Sequence, residues 1–356
     1  MKRFILKSIL FLIPFVILLA PIVVLDPFRI FKHYDDYSKN MHIIHNRDFV
    51  STEVFLRNRP KYRYNSFILG SSRTVAFKTE TWIKYLESGS RPFVFDANGE
   101  SIFGISKKIE YIDSLKDNIK NCLIILCVDT SFSYDSDQDG HLFMKHPSVA
   151  GTSWINFYVE FIKAYFDPKF LLSYYKYILT QKYDSSMRRF IEPSKINYDP
   201  ITNDIFLVDK DNEICTNLIK YFENKDKIFY KRDPTVIFSN PQISEKQINM
   251  LKKIKYIFEK HHTNYKIVVS PLYDQVKINS IDLDLLNSIF GSDNVFDFSG
   301  KNSITENMEN YYENKHYRPV VGNLIIHDLY TNTHSGDKRE LNMKTTATTT
   351  QDNCKN

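Results

Sequence analysis

The chain has 356 residues, of which 43% are hydrophobic, enough for one large α/β domain with an insertion or for two modest domains. Lys and Arg outnumber Asp and Glu by 47 to 42, and this net charge of +5 is spread along the chain. The pattern lacks the concentrated basic patch of a nucleic-acid-binding protein, so nucleic acid is excluded as a partner.

The first predicted element is an apolar segment, Phe4–Leu25, which is interrupted only by Lys7, Ser8 and two prolines. At about 1.5 Å per residue in a helix, it is long enough to cross a bilayer. It is longer than the core of a signal peptide, and no Ala-x-Ala cleavage site follows it. We therefore predict an uncleaved signal-anchor helix over residues 1–25, with the main domain outside the cytoplasm. The flanking charges favour this orientation by a small margin, and a domain that faces the cytosol is the alternative.

Residues 26–64 are polar, basic and aromatic, and they predict a membrane-proximal linker with some helix near 45–57. From there apolar runs alternate with helical patterns up to residue 330. This alternation predicts a three-layer α/β/α domain over 65–330, with a parallel sheet of about five strands. The predicted strands are Ser66–Leu69, Pro92–Phe95, Cys122–Val128, Tyr265–Val269 and Asn294–Phe298. The predicted helices among them are Thr79–Ser88, Ser106–Lys116, Ser244–His261 and Val320–Tyr330.

The alternation is interrupted over residues 134–236, which is too long for an unstructured loop. Two helices rich in Tyr and Phe are predicted there, Trp154–Phe166 and Pro168–Gln181. We interpret the segment as an aromatic-rich helical insertion after the third strand. Its helices pack on the sheet, cap a substrate groove or rest on the membrane. After it, the polar, Thr-rich residues 331–356 predict a disordered tail.

The first candidate catalytic residue follows the first predicted strand. The sequence Gly70-Ser71-Ser72-Arg73 comes directly after Leu69, and glycine permits a sharp turn there. A hydroxyl just past such a turn lies at the carboxyl end of a strand, where open α/β sheets bind their ligands. The alternative is a structural turn in which Ser71 or Ser72 caps a helix.

A second candidate lies between the last predicted strand and the last helix, in the sequence Glu313-Asn314-Lys315-His316. A carboxylate three residues before a histidine can bind its imidazole, fix the tautomer and stabilise the imidazolium. Such a histidine can accept the proton of a serine hydroxyl, which makes Ser72 a candidate nucleophile. A solvated loop is the alternative explanation of the spacing.

Together, the two stretches resemble the first and last motif blocks of the SGNH (GDSL-like) hydrolase superfamily, which occur in this order along the chain. The resemblance is closest to membrane-anchored members that modify cell-surface polymers, such as alginate O-acetylation proteins and the D-alanyl transfer protein of teichoic acids. It implies that Ser72 is the nucleophile and His316 the base. Glu313, in place of the superfamily's Asp, would orient His316.

The resemblance also implies an oxyanion hole. Asn98-Gly99 follows the second predicted strand and looks like the superfamily's glycine block, whose backbone N–H points at the oxyanion; a simple Asn-Gly turn is the alternative. After the third strand, where the superfamily often has an Asn donor, this chain has Asp129, which cannot donate when ionised. Either a backbone N–H replaces that donor, or Asp129 holds another side chain such as Arg73.

The implied function is that of an esterase or O-acyltransferase that acts on a cell-surface polysaccharide or glycoconjugate without a cofactor. A membrane-bound acyltransferase is a further implied partner. The alternative, which the departures at Asp129 and Glu313 favour, is a non-catalytic assembly or binding protein of cell-envelope polymer biosynthesis on the same fold. We predict no metal site. The acidic run 135–140 begins like an EF-hand loop, but His146 stands where the loop needs a Glu.

Overall fold

The computed structural model describes residues 1–39, 42–223, 225 and 228–331. The strands, in chain order, are β1 (Ser66–Gly70), β2 (Pro92–Asp96), β3 (Asn121–Leu126), β4 (Ile196–Tyr198), β5 (Ile205–Leu207), β6 (Asn264–Val269), β7 (Val295–Asp297), β8 (Tyr311–Glu313) and β9 (His316–Tyr317). Five of them form one parallel sheet with the spatial order β2-β1-β3-β6-β7. The pairs β4–β5 and β8–β9 are separate antiparallel hairpins.

The helices surround this sheet. They are α1 (Lys2–Leu25), α2 (Arg47–Tyr62), α3 (Thr79–Trp82), α4 (Ile102–Ser114), α5 (Pro147–Ala150), α6 (Trp154–Tyr165), α7 (Pro168–Thr180), α8 (Val208–Thr216), α9 (Leu218–Phe222), α10 (Glu245–His261), α11 (Ser280–Phe290), α12 (Ser303–Glu306) and α13 (Pro319–Thr331). A 3-10 turn, Ser72–Ala76, follows β1.

The predicted α/β fold with a five-stranded parallel sheet is confirmed. Each predicted strand is present, because a parallel strand that is covered on both faces needs a continuous apolar run, which the sequence displays. One face of the sheet contributes Phe67 and Ile124 to a core shared with α2, α4, α10 and α11. The other face contributes Ile68 and Leu123 to a core shared with α13. Helices therefore cover both faces, as three layers require.

Several helices agree with their sequence signals. Ser244 and Gln247 form the capping box at the start of α10, and Asp167 caps α7 through a hydrogen bond from the Lys169 N–H. The sequence did not predict α11, which lies between β6 and β7. Its buried Asp282 accepts hydrogen bonds from the backbone N–H groups of Gln242 and Ile243, contacts between segments far apart in the chain.

The region between α1 and β1, predicted as a linker with some helix near 45–57, contains α2, which packs into the core. Val50, Val54 and Phe55 of this helix are buried beside the sheet. The α1 helix covers the predicted anchor segment. Among the residues that the structure describes, no helix is long and apolar enough to cross a membrane, and the predicted membrane span stays a prediction.

The described residues of the insertion form α5 to α9 and the β4–β5 hairpin. The aromatic residues of α6 and α7 pack mainly against the amino-terminal segment, and not on the sheet. Phe157, Phe161 and Phe170 share one core cluster with Ile22 and Phe28. The hairpin instead lies over the carboxyl edge of the sheet, where the candidate site is found. Of the predicted tail 331–356, only Thr331, the last residue of α13, lies within the described residues.

Candidate active site

Ser72 lies directly past the carboxyl end of β1. A Cβ atom on Gly70 would approach the Ile125 carbonyl oxygen to 2.7 Å, so glycine permits the close contact of β1 with β3. Ser71 is the N-cap of the 3-10 turn that begins with Ser72. The Oγ of Ser71 is buried 3.5 Å from the Sγ of Cys127. The two serines therefore face different surroundings, Ser71 the interior and Ser72 the site.

Ser72, His316 and Glu313 form one hydrogen-bonded chain. The Oγ of Ser72 lies 2.7 Å from Nε2 of His316, and Nδ1 of the same ring is hydrogen-bonded to Oε1 of Glu313. The β8–β9 hairpin pairs Glu313 with His316, and the buried Tyr311 and Tyr317 anchor it. The structure thus brings together the three residues that the sequence assigned to catalysis, although their roles stay predictions.

The charge state of Glu313 fixes the direction of these hydrogen bonds. Burial raises its pKa, but the hydrogen bond and charge of His316, with the charge of Lys210, outweigh it and hold the pKa of Glu313 below its usual value. An ionised carboxylate only accepts, so Nδ1 of His316 carries the proton and donates to Glu313. When the ring is neutral, Nε2 is the free acceptor for the Ser72 hydroxyl proton.

Arg73 and Asp129 form an ion pair beside the chain. The Nη1 and Nη2 atoms of Arg73 donate to the two oxygens of Asp129 at 2.7 and 2.8 Å, and its Nε donates to the carbonyl of Lys315 at 2.8 Å. Burial raises the pKa of Asp129, but the hydrogen bonds and charge of Arg73 bring it below its usual value. Asp129 therefore accepts from Arg73, one of the two alternatives that the sequence left open, and it is not an oxyanion donor.

The side-chain amide in the Asn98-Gly99 loop is not free to bind an oxyanion, because it already donates two hydrogen bonds. The amide Nδ2 of Asn98 donates to the backbone carbonyls of His45 at 2.8 Å and Leu142 at 3.3 Å. Asn98 lines the cavity beside Ser72, and Gly99 is not among the described residues that line it. Gly99 has φ of +55°, the left-handed conformation that favours glycine. Its conformation fits an Asn-Gly turn, and any oxyanion contact must come from backbone N–H groups.

A buried cluster of charges fixes this loop. Glu100 accepts from Nζ of Lys108 at 2.7 Å and from Nζ of Lys145 at 2.6 Å, and Asp48 lies 3.1 Å from Lys108. All four side chains are almost completely buried. Because a buried charge is costly without its partner, the cluster ties α2, α4 and the start of the insertion to the loop after β2.

The site opens into a cavity of about 280 Å³. It is lined by Ile43, Ile44, His45, Arg47, Ser72, Val75, Asp96, Asn98, Glu192, Ser194, Ile196, Tyr198, Ile205, Leu207, Lys210 and His316. Most of these residues come from the insertion or from the segment predicted as a linker. Sequence reasoning missed them because they carry no local motif and meet Ser72 only in the folded chain.

The arrangement has the parts of a nucleophilic site: a hydroxyl, a base within hydrogen-bonding distance and a carboxylate that orients the base. Within the described parts of the chain, no group of His, Cys, Asp and Glu could hold a metal ion. No protein-family model matches the sequence, and no curated protein is significantly similar to it.

Proposed function

We propose that the chain is a serine esterase or O-acyltransferase of the SGNH type, anchored in the membrane and acting on a cell-surface polysaccharide or glycoconjugate. The observation that carries the proposal is the hydrogen-bonded chain from Ser72 through His316 to Glu313. The order of the two motifs along the chain and the parallel sheet support it.

The proposed reaction has two halves. First, Oγ of Ser72 attacks the carbonyl carbon of an ester, and its proton passes to Nε2 of His316. The bond from that carbon to the leaving alcohol breaks, and the alcohol takes the proton from Nε2. Second, water or an acceptor hydroxyl loses its proton to Nε2 and attacks the acyl-serine, and Ser72 regains the proton as it leaves. Glu313 stabilises the imidazolium in both halves.

The oxyanion is held by backbone N–H groups in this proposal. The N–H of Ser72 begins a 3-10 turn and donates to no other described residue, so it is available to a ligand. The resemblance implies the N–H of Gly99 as the second donor, which requires the loop to bring Gly99 to the cavity that it does not line in this structure. Each oxyanion donor contributes roughly 10²–10³ to the rate in comparable hydrolases.

A fluorophosphonate probe tests the nucleophile. Intact-protein and peptide mass spectrometry should find the adduct on Ser72, and Ser72→Ala should prevent it. Ser71→Ala is the matched control, because it removes the neighbouring hydroxyl and should leave labelling in place. Modification of the Ser72→Ala protein at the wild-type rate would refute the assignment.

The second candidate function is a non-catalytic binding or assembly protein of cell-envelope polymer biosynthesis. The pairing of Asp129 with Arg73 favours it, because an ionised carboxylate cannot replace an amide donor. The labelling experiment separates the two functions, since a non-catalytic protein should react with the probe no faster at Ser72 than at exposed serines.

The cell-surface substrate depends on an extracytoplasmic domain. The apolar segment Phe4–Leu25 is the basis for this location. Fusions placed directly after Thr331 keep α13 and the whole domain intact. In a bacterial host, an alkaline phosphatase fusion there should be active and a β-galactosidase fusion inactive. The opposite pattern would place the domain in the cytosol and remove the surface-polymer substrate.

A further inference from the structure

The cavity beside Ser72 has a long aliphatic wall. The β4–β5 hairpin supplies Ile196, Ile205 and Leu207, and the turn after Ser72 supplies Val75. Ile196 and Leu207 are directly opposite each other in the hairpin, so they present one apolar surface. The volume of about 280 Å³ corresponds to roughly nine groups of the size of a water molecule or methylene. An acetyl group would leave most of this space unfilled.

Two residues that line the same cavity, Arg47 and His45, each have one buried polar atom without a hydrogen-bond partner among the described residues. Arg47 donates from Nε and Nη2 to Asp96 at 2.9 and 2.7 Å, and from Nη2 to Asn203 at 2.9 Å. Its Nη1 is buried and has no hydrogen-bond partner among the described residues, and the same is true of Nδ1 of His45. Arg47 and His45 are 5% and 3% exposed, and both line the cavity.

An unpartnered guanidinium nitrogen specifies a ligand atom. Arginine has donors and no acceptor, so Nη1 can only be satisfied by an oxygen or another acceptor. The formal charges that line the cavity cancel, because Arg47 and Lys210 are matched by Asp96 and Glu192. A neutral ligand with an acceptor oxygen fits this environment better than an anion.

We infer that the cavity binds the acyl chain of the ester, an aliphatic group of roughly four to eight carbons that carries an acceptor oxygen such as a hydroxyl. The inference rests on the proposed function, because it places the acyl carbon at Ser72. The aliphatic wall holds the chain, and Arg47 donates to its oxygen. Acetyl is then a poor substrate, since it reaches neither the hairpin nor Arg47.

A series of p-nitrophenyl alkylphosphonates tests this inference, since phosphorus takes the place of the acyl carbon and the alkyl group that of the chain. We would measure the rate of Ser72 modification by intact mass spectrometry for methyl, propyl and 2-hydroxypropyl probes. Two methylenes on the aliphatic wall should make propyl about ten-fold faster than methyl. The hydroxyl should add about another ten-fold by pairing with Arg47.

Two variants test which residues cause the preference for the longer and the hydroxylated probe. Ile196→Trp should lower the propyl-to-methyl rate ratio by about ten-fold, because the indole fills the space along the wall. Phe206→Trp is the matched control on the same hairpin, where Phe206 faces away from the cavity towards Lys78, and it should leave the ratio unchanged. Arg47→Lys keeps a cation beside Asp96 but removes Nη1, so it should abolish the preference for the hydroxyl.

The outcomes are distinguishable. If Ser72 reacts with no probe, the proposed function fails and the inference fails with it. If Ser72 reacts, and methyl is as fast as propyl, the proposed function stands and the acyl-chain inference is overturned. Equal rates for propyl and 2-hydroxypropyl in the wild-type protein overturn the role of Arg47, whether or not Arg47→Lys folds.

Discussion

The guanidinium of Arg73 faces the carboxylate of Asp129 through two hydrogen bonds of 2.7 and 2.8 Å. The same guanidinium donates to the carbonyl of Lys315. Arg73, which follows Ser72, thus binds the backbone of Lys315, which precedes His316. Asp129, past the end of β3, orients the Arg73 guanidinium. The ion pair therefore links the chain segments that carry the two proposed catalytic atoms, although it contains neither atom.

Loss of this ion pair should affect stability and activity separately. Arg73→Met leaves the mostly buried Asp129 with only the exposed Lys315, whose Nζ lies 3.7 Å away, and we expect a loss of up to about 3 kcal/mol in the free energy of unfolding, measured with urea. The double variant Arg73→Met/Asp129→Leu should recover most of this stability. It should not recover the rate, which we expect to fall about 10²-fold because His316 loses its support.

A second ion pair provides the control for that prediction. Arg59 also binds the two oxygens of Asp117, at 2.7 and 2.9 Å, away from the site. Arg59→Met should lower stability, though by less, since the Arg59 side chain is 26% exposed and that of Arg73 only 6%, and it should leave the turnover of the folded protein unchanged. Equal losses of activity in the two variants would mean that Arg73 acts only through stability.

Ser72 and His316 should act as one unit. Because His316 works only by moving the proton of Ser72, Ser72→Ala and His316→Ala should each lower kcat by about 10⁴-fold or more, and the double variant should be barely worse. The measurement is ester hydrolysis or polymer acylation at matched protein levels. Losses that multiply in the double variant would assign the two residues separate roles.

Substitution of Glu313 should lower kcat by less than substitution of His316, but by a clearly measurable factor. Glu313→Gln keeps a hydrogen-bonding group beside Nδ1 but removes the charge that stabilises the imidazolium. We expect kcat to fall by about 10²- to 10⁴-fold, with KM nearly unchanged, since the carboxylate acts in the transition state. A change in KM alone would show that Glu313 shapes binding rather than the proton transfer.

Acid should destabilise the protein through His45. Burial, and then the charges of Arg29 and Arg47, lower the pKa of His45 to about 3, from an ordinary value of 6.5. Between these values the unfolded chain binds a proton that the folded chain does not. The contribution of His45 to stability is therefore fully present above about pH 6.5 and is lost as the pH falls towards 3. The slope from this group should be about 1.4 kcal/mol per pH unit.

A comparison of variants isolates that contribution. His45→Gln should flatten the dependence of the unfolding free energy on pH between about 6 and 4. The control His33→Gln changes a histidine whose side chain is 96% exposed and should leave the slope as it is. An unchanged slope in His45→Gln would mean that the ring is accessible to protons in the folded state.

The sequence identified the serine turn and the Glu-His spacing because each is a short local pattern. It could not predict what lies around them. Arg47 and His45 come from a segment predicted as a linker, and the partners of Arg47, Asp96 and Asn203, are distant in the chain. Nothing in the local sequence distinguishes a buried arginine from a solvated one.

By itself, the sequence determined the five strands of the parallel sheet and several of the helices between them, since strand runs, helix caps and turns depend on neighbouring residues. It also identified the hydroxyl, imidazole and carboxylate for which we propose catalytic roles. Only the tertiary structure decided that Ser72 and His316, 244 positions apart, lie within a hydrogen bond of each other. It also decided that the β4–β5 hairpin closes a cavity over them, because those contacts arise from the packing of distant segments on one sheet edge.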